Sequence, residues 1–175
     1  MVRPNKTEYY LNIAAGVAAR STCLRRQYGA VIVKNDTIVS TGYNGSARNE
    51  PNCCDVGTCY RQENNIPHGE QYEKCQAVHA EANAIINASK GQMYNATLYL
   101  VGFENGERLE HAEPCEMCKR LIRNAGIARV VTQASDDVEG PKYLMGSNVL
   151  RNAAHQMGKE LLNELSSRSS VRSAY

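Results

Sequence analysis

Apolar residues at helical spacing open the chain. Tyr10, Ile13, Ala14 and Val17 form one stripe within residues 6–20, which predicts an amphipathic helix. The period then shortens. Residues 29–34 (GAVIVK) and 37–42 (TIVSTG) read as two strands joined at Asn35-Asp36, a pair suited to a tight turn. Residues 43–78 lose all periodicity and are rich in Asn, Cys and Gly. Helical spacing returns at 79–88 (HAEANAIINA), with Ala82, Ile85, Ile86 and Ala88 as its apolar positions. A strand is predicted at 97–101, a charged loop at 102–113, a helix at 115–125 and a strand at 128–133. Met117, Leu121, Ile122 and Ala125 share a stripe on that helix, Pro114 suits its start and Gly126 its stop. A last helix is predicted near 142–157, reaching towards 165, and the tail from Ser166 is of low complexity. Helices alternating with short apolar strands predict an α/β layered sheet. The organisation expected is one domain over 1–165, with a Cys-rich insert at 43–78 and a flexible tail at 166–175.

Composition narrows the function. The chain has 175 residues, 20 basic and 18 acidic, so no large field marks a nucleic-acid or membrane surface. With one Phe and no Trp, base-stacking platforms for single strands would need Tyr or His. No apolar run reaches the length of about 18 residues that a membrane helix needs. The opening MVRP is not followed by a signal-peptide core. The seven Cys are therefore read as reduced and cytoplasmic, where clustered Cys indicate metal more often than disulfide.

The chemistry is concentrated in His79-Ala80-Glu81 and Pro114-Cys115-Glu116-Met117-Cys118. Closed structural zinc sites use four protein ligands, whereas catalytic ones use three and keep a position for water. His79, Cys115 and Cys118 supply three. Zinc lowers the pKa of bound water to about 7, so hydroxide is available at neutral pH. Glu81 is the proton shuttle that deamination of a ring carbon requires, and it must stand within about 3 Å of the water and the ring. This H-x-E with P-C-x-x-C pattern is the signature of zinc nucleobase deaminases. On the predicted helices, His79 and Glu81 fall in one first turn and Cys115 and Cys118 on one face of another. Two positive helix ends then point at one metal.

Five further Cys remain: Cys23, Cys53, Cys54, Cys59 and Cys75. A long aperiodic segment inside a domain needs something to order it, and a structural zinc supplies that free energy. The preferred ligand set is Cys23, Cys53, Cys59 and Cys75, with His68 or Cys54 as alternatives. His111, in its charged loop, and His155 are read as ordinary histidines.

Several segments together resemble the deoxycytidylate (dCMP) deaminases, in the bacterial and phage branch of the cytidine deaminase-like superfamily. They are Arg20-Ser21-Thr22-Cys23, Gly29-Ala30-Val31-Ile32-Val33, Thr41-Gly42-Tyr43-Asn44-Gly45-Ser46, Asn52-Cys53-Cys54-Asp55, the H-A-E run and P-C-x-x-C. The resemblance spans about residues 6–133. It implies a three-layer α/β/α sandwich with a mixed sheet of about five strands. It implies hydrolysis of dCMP to dUMP and ammonia, by Zn-hydroxide attack at C4. It also implies a homohexamer, activation by dCTP, inhibition by dTTP and an additional zinc near the first Cys and the insert. Asn44, Ser46 and Ala80 are the implied substrate contacts, with Arg48 a further phosphate contact. Arg3, Lys6, Arg25, Arg26 and Lys90 are candidates for an effector triphosphate, and nothing in the chain selects among them.

Two departures bear on the substrate. Residues 102–113 intervene where the family runs directly from strand to P-C-x-x-C, and Thr132-Gln133-Ala134-Ser135-Asp136-Asp137 replaces a Q-D-Y-like segment. Tyr143 is a substitute for the missing Tyr. The competing readings are a deaminase of another free pyrimidine nucleotide or nucleoside, a tRNA-type nucleic-acid deaminase, and a zinc-held interaction module. Near-neutral charge opposes the second, and Glu81 opposes the third, since a structural site needs no acid beside three ligands.

Overall fold

Asn5 opens the first helix. Its side chain accepts the Glu8 N–H at 2.9 Å, and the Glu8 carboxylate accepts the Asn5 N–H at 2.9 Å, which is a capping box. The computed structural model describes residues 3–67 and 69–132. His68, Tyr143, His155, the predicted helix at 142–157 and the tail at 166–175 lie outside the described residues. All described residues belong to one compact unit, Met1–Leu144.

Helix α1 (Lys6–Ala18) leads to a hairpin of β1 (Gln27–Lys34) and β2 (Thr37–Tyr43). Asn35 and Asp36 turn it at φ of 49° and 62°, the left-handed pair that matches strand twist. The segment that follows holds β3 (Gly45–Ser46), α2 (Cys53–Val56), α3 (Tyr60–Glu63), one 3₁₀ turn (Tyr72–Lys74) and β4 (Ala77–Val78). Then come α4 (Ala80–Ile86), α5 (Lys90–Met93), β5 (Thr97–Glu104), β6 (Glu107–Arg108), α6 (Glu116–Ala125) and β7 (Arg129–Val131).

Strand β1 lies between β2 and β5, antiparallel to both. Strand β5 also pairs antiparallel with β6 and parallel with β7. The result is a mixed five-stranded sheet. Alternate residues of β1 point to opposite faces. Ala30 and Ile32 join Leu98, Leu100 and Val130 beneath α4, α5 and α6. Val31 and Val33 join Val101 and Val131 beneath Tyr10, Leu11, Ala14 and Ala18 of α1. This is the α/β/α sandwich that the resemblance implies.

Two glycines let helices reach the sheet. A Cβ on Gly29 would stand 2.1 Å from the Ala14 carbonyl oxygen of α1. A Cβ on Gly42 would stand 2.3 Å from both the Ala80 carbonyl oxygen and the Ala84 N–H nitrogen of α4. This approach explains a correction. Ala80, Ala82 and Ala84 are the buried apolar residues of α4, while Ile86 is 72% exposed. Of the predicted stripe, Ala82 is buried and Ile85 and Ala88 pack partly buried against the core, while Ile86 is exposed; the small Ala80 and Ala84 let the helix sit on a glycine.

On α6 the buried residues are Cys118, Ile122 and Ala125, so the predicted stripe is corrected at Met117 and Leu121, which are exposed. The predicted loop at 102–113 is also corrected. Strand β5 runs to Glu104 and returns through Asn105 and Gly106, at φ of 54° and 83°, into β6. Asn-Gly is a strong hairpin signal. Leu109 N–H then bonds the Gly102 carbonyl at 2.8 Å. No helix among the described residues is long and apolar enough to cross a membrane.

Candidate active site

His79 is the N-cap of α4 and Cys115 the N-cap of α6. Pro114 therefore precedes the cap instead of starting the helix. The two helices pack on the same sheet face, so their N-terminal ends converge. The His79 Nδ1 lies 3.4 Å from the Cys115 Sγ and 3.4 Å from the Cys118 Sγ. All three donor atoms lie within 4.8 Å of one another. Among the described residues no other trio of His, Cys, Asp or Glu reaches that spacing.

The donor set fits zinc. Zn–S near 2.3 Å and Zn–N near 2.05 Å in a tetrahedron put sulfur and nitrogen about 3.6 Å apart, close to the 3.4 Å found here. The two thiols are shifted in opposite directions. Hydrogen bonding from Cys118, with help from His79, pulls the Cys115 thiol well below its ordinary value. The same bond, together with burial, pushes the Cys118 thiol up. The hydrogen bond with Cys115 raises the His79 pKa despite burial. Three donor atoms are thus positioned for one cation.

Glu81 sits in the first turn of α4 and is only 4% exposed. Burial pushes its carboxyl pKa upward, against weaker pulls from the α4 backbone, His79 and a hydrogen bond with Cys118. A carboxyl held beside three donor atoms, away from water, is suited to hold and return a proton.

Asn44 is buried and committed. Its Oδ1 accepts from the Ser21 Oγ and the Tyr28 N–H, each at 2.7 Å, and its Nδ2 donates to the Arg26 carbonyl at 2.8 Å. One amide hydrogen remains for a ligand. Among the described residues neither the buried Ser46 Oγ nor the buried Thr22 Oγ1 has a hydrogen-bond partner. Ser46 pairs with Ala77 and Gly45 with Val78, immediately before His79. Ala80 is fully buried and Arg48 is exposed. Sequence reasoning missed Thr22, Tyr28 and Tyr72. Tyr28 takes its upward shift from burial first, and Glu81 and Tyr72 are among the groups near enough to add to it.

The remaining cysteines do not come within metal-ligand spacing of one another as a trio among the described residues. Burial and then the nearby Cys23, Cys59, Cys75 and Cys54 push the Cys53 thiol up. Cys59 is buried, whereas Cys54 is exposed and its Sγ faces the Asp55 Oδ1 at 3.5 Å. Of the basic residues considered for an effector, Arg26 forms a two-point ion pair with Glu104, both bonds 2.8 Å, and Arg25 bonds the Ile66 carbonyl at 3.0 Å. Arg3 and Lys6 line a cavity of about 580 Å³ with Tyr10, Asp36 and Ile38. Lys6 there is paired with Asp36 at 2.5 Å.

Residues 4–134 match the cytidine and deoxycytidylate deaminase zinc-binding region. A deoxycytidylate deaminase of Mycobacterium phage D29 is 39% identical over 136 residues, covering 75% of this chain and 96% of that protein. A deoxycytidylate deaminase of Schizosaccharomyces pombe is 32% identical over 138 residues, covering 78% of this chain but 39% of the yeast protein. The chain thus spans about two fifths of that longer relative. The crystal structure of the dCMP deaminase from cyanophage S-TIM5, in its apo form, superposes with a TM-score of 0.53 at 26% identity. That match covers 78% of this chain and 88% of the cyanophage chain.

Proposed function

The chain belongs to the cytidine and deoxycytidylate deaminase zinc-binding family, and from that membership we propose that it hydrolyses dCMP to dUMP and ammonia. The observation that carries this reading is the His79 Nδ1 standing 3.4 Å from both sulfurs, with the Glu81 carboxyl buried beside them. His79, Cys115 and Cys118 hold the catalytic zinc. Zinc bound there makes water nucleophilic at neutral pH.

The protein's own part is proton management and positioning. Glu81 takes a proton from the attacking water and gives it to N3 of the base. It then takes the proton of the new C4 hydroxyl as the C4=O bond forms and delivers it to the amino group, which leaves as ammonia as the C4–N bond breaks. Water and dCMP enter, and dUMP and ammonia leave, so atoms and charge balance. The free hydrogen on Asn44 Nδ2 and the unpartnered Ser46 hydroxyl are the donors offered to the nucleotide. Ala80 contributes through the main chain beside Glu81.

Cys23, Cys53, Cys59 and Cys75 are the proposed ligands of a second, structural zinc, supported by the family resemblance and by Cys53 being near enough to the other three for them to add to the upward shift that burial gives its thiol. Exposure of Cys54 and its contact with Asp55 argue against it as an alternative ligand. Family resemblance supports carrying over a homohexamer, control by dCTP and dTTP, and a cytoplasmic setting. Chain length and the alternation of elements support a single domain over 1–165.

The test is ammonia release from dCMP, CMP, deoxycytidine, dCTP and AMP in parallel. Turnover of dCMP alone is expected. Turnover of another nucleotide would point to the β5–β6 hairpin and the 102–113 segment as the source of altered specificity. Glu81→Gln should keep zinc and fold while kcat falls at least about 100-fold, the usual scale for a general acid–base. An active Glu81→Gln protein refutes the proton role. Metal analysis should find two zinc ions per chain, falling to one in Cys53→Ser.

A further inference from the structure

Tyr72 stands outside every motif, yet its ring packs T-shaped on the His79 imidazole, with centroids 4.9 Å apart and planes at 84°. Behind it lies Arg61, whose guanidinium sits 4.6 Å from the Tyr72 ring centroid. Arg61 is only 5% exposed, which is rare for a cation without fixed partners. Its partners are main-chain carbonyls: Nη1 donates to Glu70 and Nη2 to Pro67, the latter at 2.6 Å.

The turn delivering Tyr72 starts at Gln71, held at φ 47° and ψ 43°. A side-chain-bearing residue enters this left-handed region only when its surroundings demand it. The segment therefore spends a buried cation, two carbonyl bonds and a strained backbone on the placement of one ring. That ring touches His79; outer-shell partners fix the orientation of a ligating imidazole, and an aromatic ring packed edge-to-face on it restricts the same rotation.

We propose that Tyr72, clamped by Arg61, is a positioning residue that fixes the His79 imidazole for metal ligation, so that the 43–78 segment governs how tightly and productively the catalytic metal is held. The inference rests on the reading of His79, Cys115 and Cys118 as catalytic zinc ligands. The contact with His79 is made by the ring, so the Tyr72 hydroxyl is dispensable for it and the aromatic face is not.

The test compares Tyr72→Leu with Tyr72→Phe, and adds Arg61→Lys, which keeps a buried charge but gives up the planar two-carbonyl fork. Three readouts are taken on the zinc-loaded, full-length protein: zinc release to a chromogenic chelator, kcat and KM with dCMP, and the cobalt(II) d–d spectrum after metal exchange. Tyr72→Leu should release catalytic zinc about tenfold faster and lose about tenfold in kcat, the scale set by groups that orient metal ligands. KM should stay within about twofold, as expected for loss of ligand orientation rather than substrate contact.

Tyr72→Phe should restore all three readouts, and Arg61→Lys should move them in the direction of Tyr72→Leu. Equal behaviour of the Leu and Phe variants, or a loss carried by KM with an unchanged cobalt spectrum, overturns the proposal. If Tyr72→Leu does not fold, by circular-dichroism melting, Arg61→Lys is judged by the same criteria. His79→Ala separates the two levels. If it loses one zinc while Tyr72→Leu matches the parent, only the positioning role falls. If it keeps full zinc, the ligand reading falls and takes the proposal with it.

Discussion

Asn44 joins three chain segments through one amide: Ser21 after α1, Arg26 and Tyr28 at the start of β1, and its own place after β2. Removing that amide leaves a buried N–H and a carbonyl with no counterpart. Asn44→Ala should cost about 2 kcal/mol of stability in urea unfolding, since each orphaned buried group costs about 1–3 kcal/mol. A loss below about 0.5 kcal/mol would mean that water enters and replaces the amide. The convergence of His79, Cys115 and Cys118 beside Glu81 was legible because it depends on short, local spacing: two residues from His79 to Glu81, three from Cys115 to Cys118. Tyr72 was not legible. It reaches His79 from an aperiodic stretch through a left-handed Gln71, and no pattern of residue types announces that path. Asn44 was legible as a motif member but not as a structural tie.

Elements were read well where their period was unambiguous and poorly where a glycine changed what could pack. The positions of α1, β1, β2 and α6 match the apolar pattern to within a few residues. On α4 the predicted stripe holds for Ala82, Ile85 and Ala88 but includes the exposed Ile86 and omits Ala80 and Ala84, which are buried because the helix backbone lies against Gly42 of β2. A glycine inside a strand and alanines four apart on the next helix carried that signal. Gly42→Ala tests it. The added methyl would overlap the backbone of α4, so overpacking should cost at least about 1–3 kcal/mol. It should also displace His79 and Glu81, and zinc retention should fall along with Tm. An unchanged zinc content with lowered Tm would show that β2 yields instead of α4.

At the scale of the whole molecule, two helical layers sandwich the sheet, and the face that carries α1 is tied to the β1–β2 turn. The Tyr10 hydroxyl donates to the Asp36 carboxylate at 2.6 Å, and Lys6 bonds the same carboxylate at 2.5 Å. Lys6 first, then Tyr10, hold Asp36 below its ordinary value of 3.8. Its contribution is therefore complete above that value and is lost as pH falls through the lower folded one. The Tm gap between the protein and Asp36→Ala should stay constant near neutrality and close below about pH 4. A gap that persists in acid would remove the carboxylate from the account. Tyr10 has the opposite sign. Burial, then the bond to Asp36, pushes it up to about 12, so its contribution is intact below 10 and drains away as pH rises towards 12. The layered α/β class was accessible from the alternation of elements, the three-layer arrangement only through the family resemblance, and the β5–β6 hairpin was missed because charge masked its Asn-Gly turn.

The pairing of β1 with β5, where Val33 meets Thr97, also bears on how quickly the chain finds its shape. The first hairpin closes across two residues, but this pairing must wait for roughly 60 intervening ones, and closing such a loop costs about 4 kcal/mol of chain entropy. The sheet's central seam is thus a late event in refolding. Mutations along it should slow the refolding limb less than they speed unfolding, whereas changes at Asn35-Asp36 should act chiefly on the rate of folding.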